Sequence, residues 1–311
     1  MSSEPKVLIA EEEIRLDLLL VQTWPELGRA ALRSMVQQGH VHINGELALK
    51  PGQYVQVDDR IEVDAPLLDE TTSQDSVPDN SLDVVYVDES IVIVDKPVGM
   101  ATHAGRRKLE LVLAAQLRQT YPDMAHIGGV ERAGILQHLD PECSGLVLAA
   151  RTEESYRILK REITRQRVLG QYLALVEGRL TGAGEIEAPI GNLKHEREQL
   201  GVAREGRSAC THYRPVHHYR TEGRHYTLLE VEPESARLHQ IRVHFAWYGY
   251  PVVGDKVYGS PRQPEWATRL YLHLSELTFQ HPVTGSIMKP DSPLPADIYG
   301  VLHFMARRKR G

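Results

Sequence analysis

Two cysteines, Cys143 and Cys210, are all that the 311 residues contain. That scarcity excludes a disulfide framework and leaves no second pair for a cysteine-based zinc site, so both are expected to be ordinary reduced thiols. Long apolar runs are missing as well. No stretch approaches the ~18 apolar residues of a membrane-spanning helix, and Met1 to Glu13 is polar and acidic where a secretory leader is basic and then apolar. A cytoplasmic protein without a membrane partner is expected. Phosphate-cradling glycine loops and a nicotinamide fingerprint are absent, and Ser144-Gly145 lacks the preceding Gly-x of a nucleophile elbow. These absences exclude the common nucleotide-dependent and serine-hydrolase classes, and no cofactor is expected.

What is present is an ordinary globular composition, 41% hydrophobic and 25% charged. At roughly 100 to 200 residues per domain, two domains are expected. The net charge of −6 argues on its face against a nucleic-acid partner, but it hides an asymmetry. Residues 1–90 hold 6 Lys+Arg against 18 Asp+Glu, net −12, whereas residues 91–311 hold 30 against 24, net +6. Arg157, Lys160, Arg161, Arg165 and Arg167 crowd one helical stretch, and the chain ends in Arg307-Arg308-Lys309-Arg310. Such runs permit RNA binding and are also what a solvated face looks like.

Three segments are marked by composition. From Ile14 to Pro66 an apolar-periodic helix (Leu16, Leu19, Leu20) precedes a second helix, Ala30 to Gln38, that stops at Gly39. Val41-His42-Ile43 then runs into Asn44-Gly45, the strongest two-residue hairpin signal, and Arg60-Ile61-Glu62-Val63 alternates as a strand. The acidic, Ser/Thr/Pro-containing stretch between Leu67 and Leu82 has no apolar period and reads as a linker. The expected organisation is a small α/β domain over 1–68, a linker over 69–81 and a larger domain over 82–311. In the larger domain, strands are predicted at Val84–Val87, Ile91–Val94, Leu146–Ala149, Tyr172–Val176, Tyr226–Val231 and Leu270–Leu274, with helices near Glu110–Gln119 and Glu153–Gln166. Their irregular spacing lacks strict βαβ alternation and predicts an α+β fold with a mixed, mainly antiparallel sheet.

Chemistry-bearing residues concentrate in two places. Gly134 to Ala149 sets Asp140-Pro141 between apolar runs, where on its own the aspartate reads as a turn starter. Arg237 to His244 brings two arginines and two histidines into eight residues. The five-residue interval from His239 to His244 is not that of a helical zinc pair, and no metal is expected there.

In order along the chain, these segments resemble the RluA family of pseudouridine synthases over nearly all of residues 82–311. The resemblance rests on Lys96-Pro97-Val98-Gly99 with His103, Gln137 to Gly145, Tyr172 to Gly178, Ala188 to Gly191, and His239 to His244. It continues through Gly254-Asp255, Tyr258-Gly259, His281 to Gly285 and Pro293 to Pro295. Each motif is weak alone; their joint order is not. Residues 14–66 resemble the S-four-type RNA-binding domain that many members carry, through Arg15-Leu16-Asp17, Gly39 to Gly45 and Asp58 to Val63.

The resemblance implies an RNA substrate, ribosomal rather than transfer RNA, a monomeric enzyme and a flipped-out uridine. Asp140 is implied as the essential carboxylate, either attacking the sugar or acting on it as a base. Arg242 is implied as the guanidinium that holds it by hydrogen bonds, and Tyr172 as the aromatic face for the displaced uracil. His138, His103, His239, Gln240 and Arg33 are implied on the substrate side. His138 stands where the family has arginine, Cys143 where it has threonine and Gly170 where it has lysine. Two other readings stay open at this point: an RNA-binding or ribosome-assembly protein that kept the fold and lost turnover, and a carboxylate-nucleophile hydrolase unrelated to RNA. Joint retention of Asp140, Tyr172 and Arg242 favours the enzyme.

Overall fold

The computed structural model describes residues 6–24, 32, 35–36, 39–63, 82–103, 112–129, 132–193 and 200–307. The chain divides into two compact units, Met1–Asp83 and Val84–Gly311. The linker expected at 69–81 and Arg33 lie outside the described residues.

The first unit pairs β1 (Lys6–Ile9), β6 (Arg60–Val63), β3 (Val41–Ile43) and β4 (Glu46–Leu47) antiparallel in that order. Asn44 and Gly45 take φ of 53° and 83°, as a two-residue hairpin with right-handed twist requires. Helix α1 (Leu16–Thr23) buries Leu16 and Leu20. Of the second predicted helix, Leu32, Met35 and Val36 are helical and buried, and the rest lies outside the described residues.

The second unit is built on a nine-stranded mixed sheet. Its main path runs β11 (Gly184–Glu187), β14 (Cys210–Thr221), β15 (Arg224–Pro233), β10 (Leu169–Glu177), β16 (Leu272–Gln280), β9 (Ser144–Ala150), β8 (Ile91–Lys96) and β7 (Val84–Val87). Every pairing is antiparallel except β9 with β16. This is the mixed, mainly antiparallel sheet expected of the sequence. Strands β8 and β9 are buried along their whole length, consistent with the continuous apolar runs Ile91–Val94 and Leu146–Ala150. At Gly145, φ is 120° and an added Cβ would lie 2.2 Å from the Leu274 carbonyl oxygen, so the parallel approach of the two strands needs glycine there. Helix α3 (Glu153–Thr164) is capped by Thr152, whose hydroxyl accepts from the Ser155 amide, and ends near Gln166 as predicted. Helix α2 (Leu113–Thr120) starts three residues later than Glu110, the predicted start, which is itself outside the described residues. The C-terminal helix α5 (Ala296–Arg307) buries Ile298, Leu302 and Met305 against Leu175, Tyr219 and Tyr226 of the sheet and against Tyr271, just before β16.

Two strand expectations change. The strand predicted at Leu270–Leu274 spans Leu272–Gln280, and β14 was not predicted. Pro215 inside β14 argues against a central strand, and the sheet accommodates it with a register shift between Pro215 and His217.

Candidate active site

Asp140 begins a tight turn that enters β9: the Cys143 amide donates to the Asp140 carbonyl at 3.0 Å. Lys96, at the end of β8, holds this turn from beneath. Its ammonium is buried and donates to the carbonyls of Cys143 (2.6 Å), Met100 (2.8 Å) and Pro97 (2.9 Å), while the Gly99 amide donates to Pro141. Burial lowers the Lys96 pKa to about 8. The Cys143 thiol donates to the Leu272 carbonyl, and its pKa is pushed up to about 12, chiefly by burial, so it is inert as a nucleophile.

Helix α4 (Gln240–Trp247) delivers the opposing charge. Arg242 is 2% exposed. Its Nε and Nη2 fork onto Asp255 at 2.7 and 2.9 Å, and its Nη1 donates to Asp140 Oδ2 at 2.7 Å. Burial opposes this cation, but the hydrogen bonds and charges of Asp255 and Asp140 outweigh burial and raise its pKa. Asp255 in turn is locked by the amides of Val257 and Tyr258, so the guanidinium is fixed on one side and aimed at Asp140 on the other. His239 precedes the helix in the left-handed conformation, φ 56°. It bonds the Tyr258 hydroxyl through Nδ1 at 2.9 Å and brings Nε2 to 3.6 Å from Asp140 Oδ2; burial lowers its pKa.

On the other side of Asp140, His138 Nε2 lies 3.6 Å from Oδ1, and its Nδ1 is held 3.1 Å from the Thr102 hydroxyl. That hydroxyl also meets His103 Nδ1 at 3.1 Å, and the two imidazoles stack at 6.4 Å. His103 is held neutral, with its pKa lowered to about 4 by burial and then by Arg132 and His138. Tyr172, on β10, lines the cleft, and burial pushes its pKa well above the usual tyrosine range, so the hydroxyl stays protonated.

Asp140, Tyr172, Arg242, His138, His239 and Gln240 all border one cleft of about 690 Å³, a size that suits a nucleotide. Arg132 and Arg237 stand at its rim. Gln240 spends its polar atoms within the protein, on Cys210, Thr211, Ser235 and Arg237, and holds the wall of the cleft. His103 lies one contact behind His138 and outside the lining, and Arg33 is outside the described residues. Sequence reasoning gave no role to Asp255, Lys96 or Thr102. The first two sit inside motifs it had marked; Thr102 carries no local signal.

Known proteins agree with this architecture. The family model for RNA pseudouridylate synthase matches residues 90–247, and that for the S4 domain matches 14–61. The ribosomal large subunit pseudouridine synthase D of Pseudomonas aeruginosa is 34% identical over 94% of this chain and 92% of its own. That of Vibrio parahaemolyticus is 32% identical over 94% and 91%. An RNA pseudouridine synthase of Bacillus subtilis, YlyB, is 32% identical over 96% and 95%. Among solved structures, human RNA pseudouridylate synthase domain containing 1 superposes with a TM-score of 0.58 at 24% identity, covering 71% of this chain and 87% of that one. With its catalytic-unit match spanning half the chain and relatives matching nearly end to end, the chain belongs to the RNA pseudouridylate synthase family.

Proposed function

We propose that this enzyme isomerises uridine to pseudouridine in ribosomal RNA, with Asp140 as the reacting carboxylate. The observation that carries the assignment is the 2.7 Å bond from Arg242 Nη1 to Asp140 Oδ2 inside the cleft. A buried carboxylate costs free energy unless its charge is met, and a guanidinium already forked onto a second carboxylate is a rigid way to meet it. One Asp140 oxygen is thereby committed to Arg242. The other oxygen, Oδ1, has His138 Nε2 at 3.6 Å among the described residues, and in this proposal it is the atom offered to a flipped nucleoside.

The reaction exchanges one bond for another. The N1–C1′ bond breaks, C5–C1′ forms, a proton leaves C5 and N1 gains one, so atoms and electrons balance without a redox partner. Both routes, attack at the sugar and removal of a sugar proton, use Asp140 as an anion. The Tyr172 ring supplies a face on which the freed uracil stacks while it turns. Its raised pKa keeps the hydroxyl protonated, able to donate a hydrogen bond and unsuited to act as a phenolate. The names of the relatives, ribosomal large subunit synthases, favour ribosomal RNA as substrate, and an RNA substrate supports a cytoplasmic location.

Mapping pseudouridines by carbodiimide-dependent primer extension, in cells carrying the parent gene or Asp140→Asn, tests the assignment. The amide can neither attack nor accept the proton, so the site should vanish while the variant keeps the parent's melting temperature within a few degrees. Substantial residual turnover by a folded Asp140→Asn would overturn it.

A further inference from the structure

Beside the cleft, three strands gather side chains that the reaction does not use. In the antiparallel register of β11, β14 and β15, Glu185 stands opposite His212, Glu187 opposite Cys210, and Glu232 opposite His212 from the other side. Alternation along β14 puts Cys210 and His212 on one face, while Thr211 between them is fully buried and bonds Gln240 and His244. One ligand atom each from Glu185, Cys210 and His212 lies within 4.8 Å of the others. Cys210 Sγ is 3.8 Å from His212 Nε2, Glu234 Oε1 is 2.6 Å from the same nitrogen, and Glu185 Oε2 is 3.5 Å from Nδ1.

We propose that this cluster binds a zinc-class transition-metal ion through Cys210 Sγ, the His212 ring and Glu185, whose ligand atoms lie within 4.8 Å of one another, with Glu234 supporting the ring from its other side. A thiolate, an imidazole and a carboxylate form a donor set suited to borderline-soft divalent ions and unsuited to magnesium or calcium. Tetrahedral zinc, with bonds of about 2.3 Å to sulfur and about 2.0–2.1 Å to nitrogen, separates the two ligands by about 3.6 Å. The 3.8 Å between Cys210 and His212 is close to that. Glu185, whose side chain is 60% exposed, has the freedom to close the remaining distance to ligand spacing. On binding, Cys210 loses its thiol proton to solvent, and the ring proton resides on the nitrogen turned away from the ion. A carboxylate behind the second ring nitrogen is the usual support of a metal-bound histidine. Glu185, Glu187, Glu232 and Glu234 all act electrostatically on this Cys–His pair, so a dication enters a favourable field.

The site adjoins the wall of the cleft. The Glu234 amide and Gln240 Nε2 both donate to the Cys210 carbonyl, and Glu234 and Ser235 line the cleft itself. An ion held at Cys210, whose carbonyl anchors the Glu234 amide, therefore stiffens the segment that leads to Arg237 and His239. The binding does not depend on the reaction, and it is tested apart from it.

The test is titration of the metal-free full-length protein with Co²⁺. The expected result is one equivalent bound, with a thiolate-to-cobalt charge-transfer band in the near ultraviolet that Zn²⁺ displaces. Cys143 is the only other thiol and is 1% exposed, so the band should persist in Cys143→Ser and disappear in Cys210→Ser. Glu234→Gln should weaken binding about tenfold. Zinc should also raise the melting temperature of the parent and not of Cys210→Ser. A parent without the band, a band that survives Cys210→Ser, or uptake indifferent to both Cys210→Ser and His212→Gln would overturn the proposal.

Discussion

The resemblance puts His138 where an arginine is expected, and its surroundings define what such an exchange would do. Thr102 fixes Nδ1 and turns Nε2 toward Asp140, while the side chain stays 51% exposed at the cleft. A histidine there offers only a small ring, where an arginine keeps a full charge at any cellular pH and adds a fork for phosphate. His138→Arg is therefore expected to tighten RNA binding and raise single-turnover rate, with the gain largest at low salt. Filter binding at two salt concentrations checks this, and an unchanged salt dependence would show that position 138 does not face the RNA backbone. His103, behind it, gives a pH signature. Its folded pKa of about 4 lies below the 6.5 of the free side chain, so between those values the unfolded chain binds more protons. Stability contributed by the neutral ring is present above about pH 6.5 and is lost as the pH falls toward 4. The melting temperature should drop from pH 7 to pH 5, and His103→Gln should flatten that slope.

The turn carrying Asp140 owes its shape to neighbouring elements more than to its own residues. Lys96 reaches from the end of β8 to the carbonyls on both sides of the turn, so strand and loop move as one. Lys96→Met removes the donor and leaves several carbonyls buried without it, at a cost of about 1–3 kcal/mol for each that water fails to reach. The expected outcome is a lower melting temperature and a kcat reduced more than KM, because the RNA-facing rim is untouched. A kcat equal to the parent's would show that Lys96 supports folding alone. Helix α4 plays the matching part opposite: Arg242, His239 and Gln240 act together because the left-handed turn at His239 and the fork to Asp255 fix the helix start.

At the scale of the molecule, charge and architecture divide the labour. Residues 1–90 carry net −12 and the rest +6, so the catalytic unit holds the surplus cation for phosphate contacts. The S4 domain nevertheless matches 14–61, and the chain divides there into a separate compact unit. Removing residues 1–68 is expected to spare turnover on a short stem-loop RNA while lowering selection of a long one, measured as the ratio of kcat/KM for the two. Failure of the truncated chain to fold would place the boundary elsewhere.

Local signals carried much of this protein into view. Ordered motifs from Lys96 to Pro295 marked the family, Asn44-Gly45 marked a hairpin, and apolar runs marked β8 and β9, because turn chemistry and hydrophobic period act over a few residues. What folding alone decided is the set of contacts between distant segments. Arg242 meets Asp140 across 102 positions, and Cys143 meets Leu272 across 129. The same holds at Lys96, whose motif was legible but whose cradle of carbonyls was not, and at β14, where Pro215 spoke against a strand that its neighbours nonetheless imposed. Cys210 illustrates the limit most plainly: no spacing along the chain joins it to Glu185, and only the antiparallel register brings the two together beside His212. Register and side-chain direction are settled by burying one face of a whole sheet at once, and that global condition has no signature within any single window of sequence.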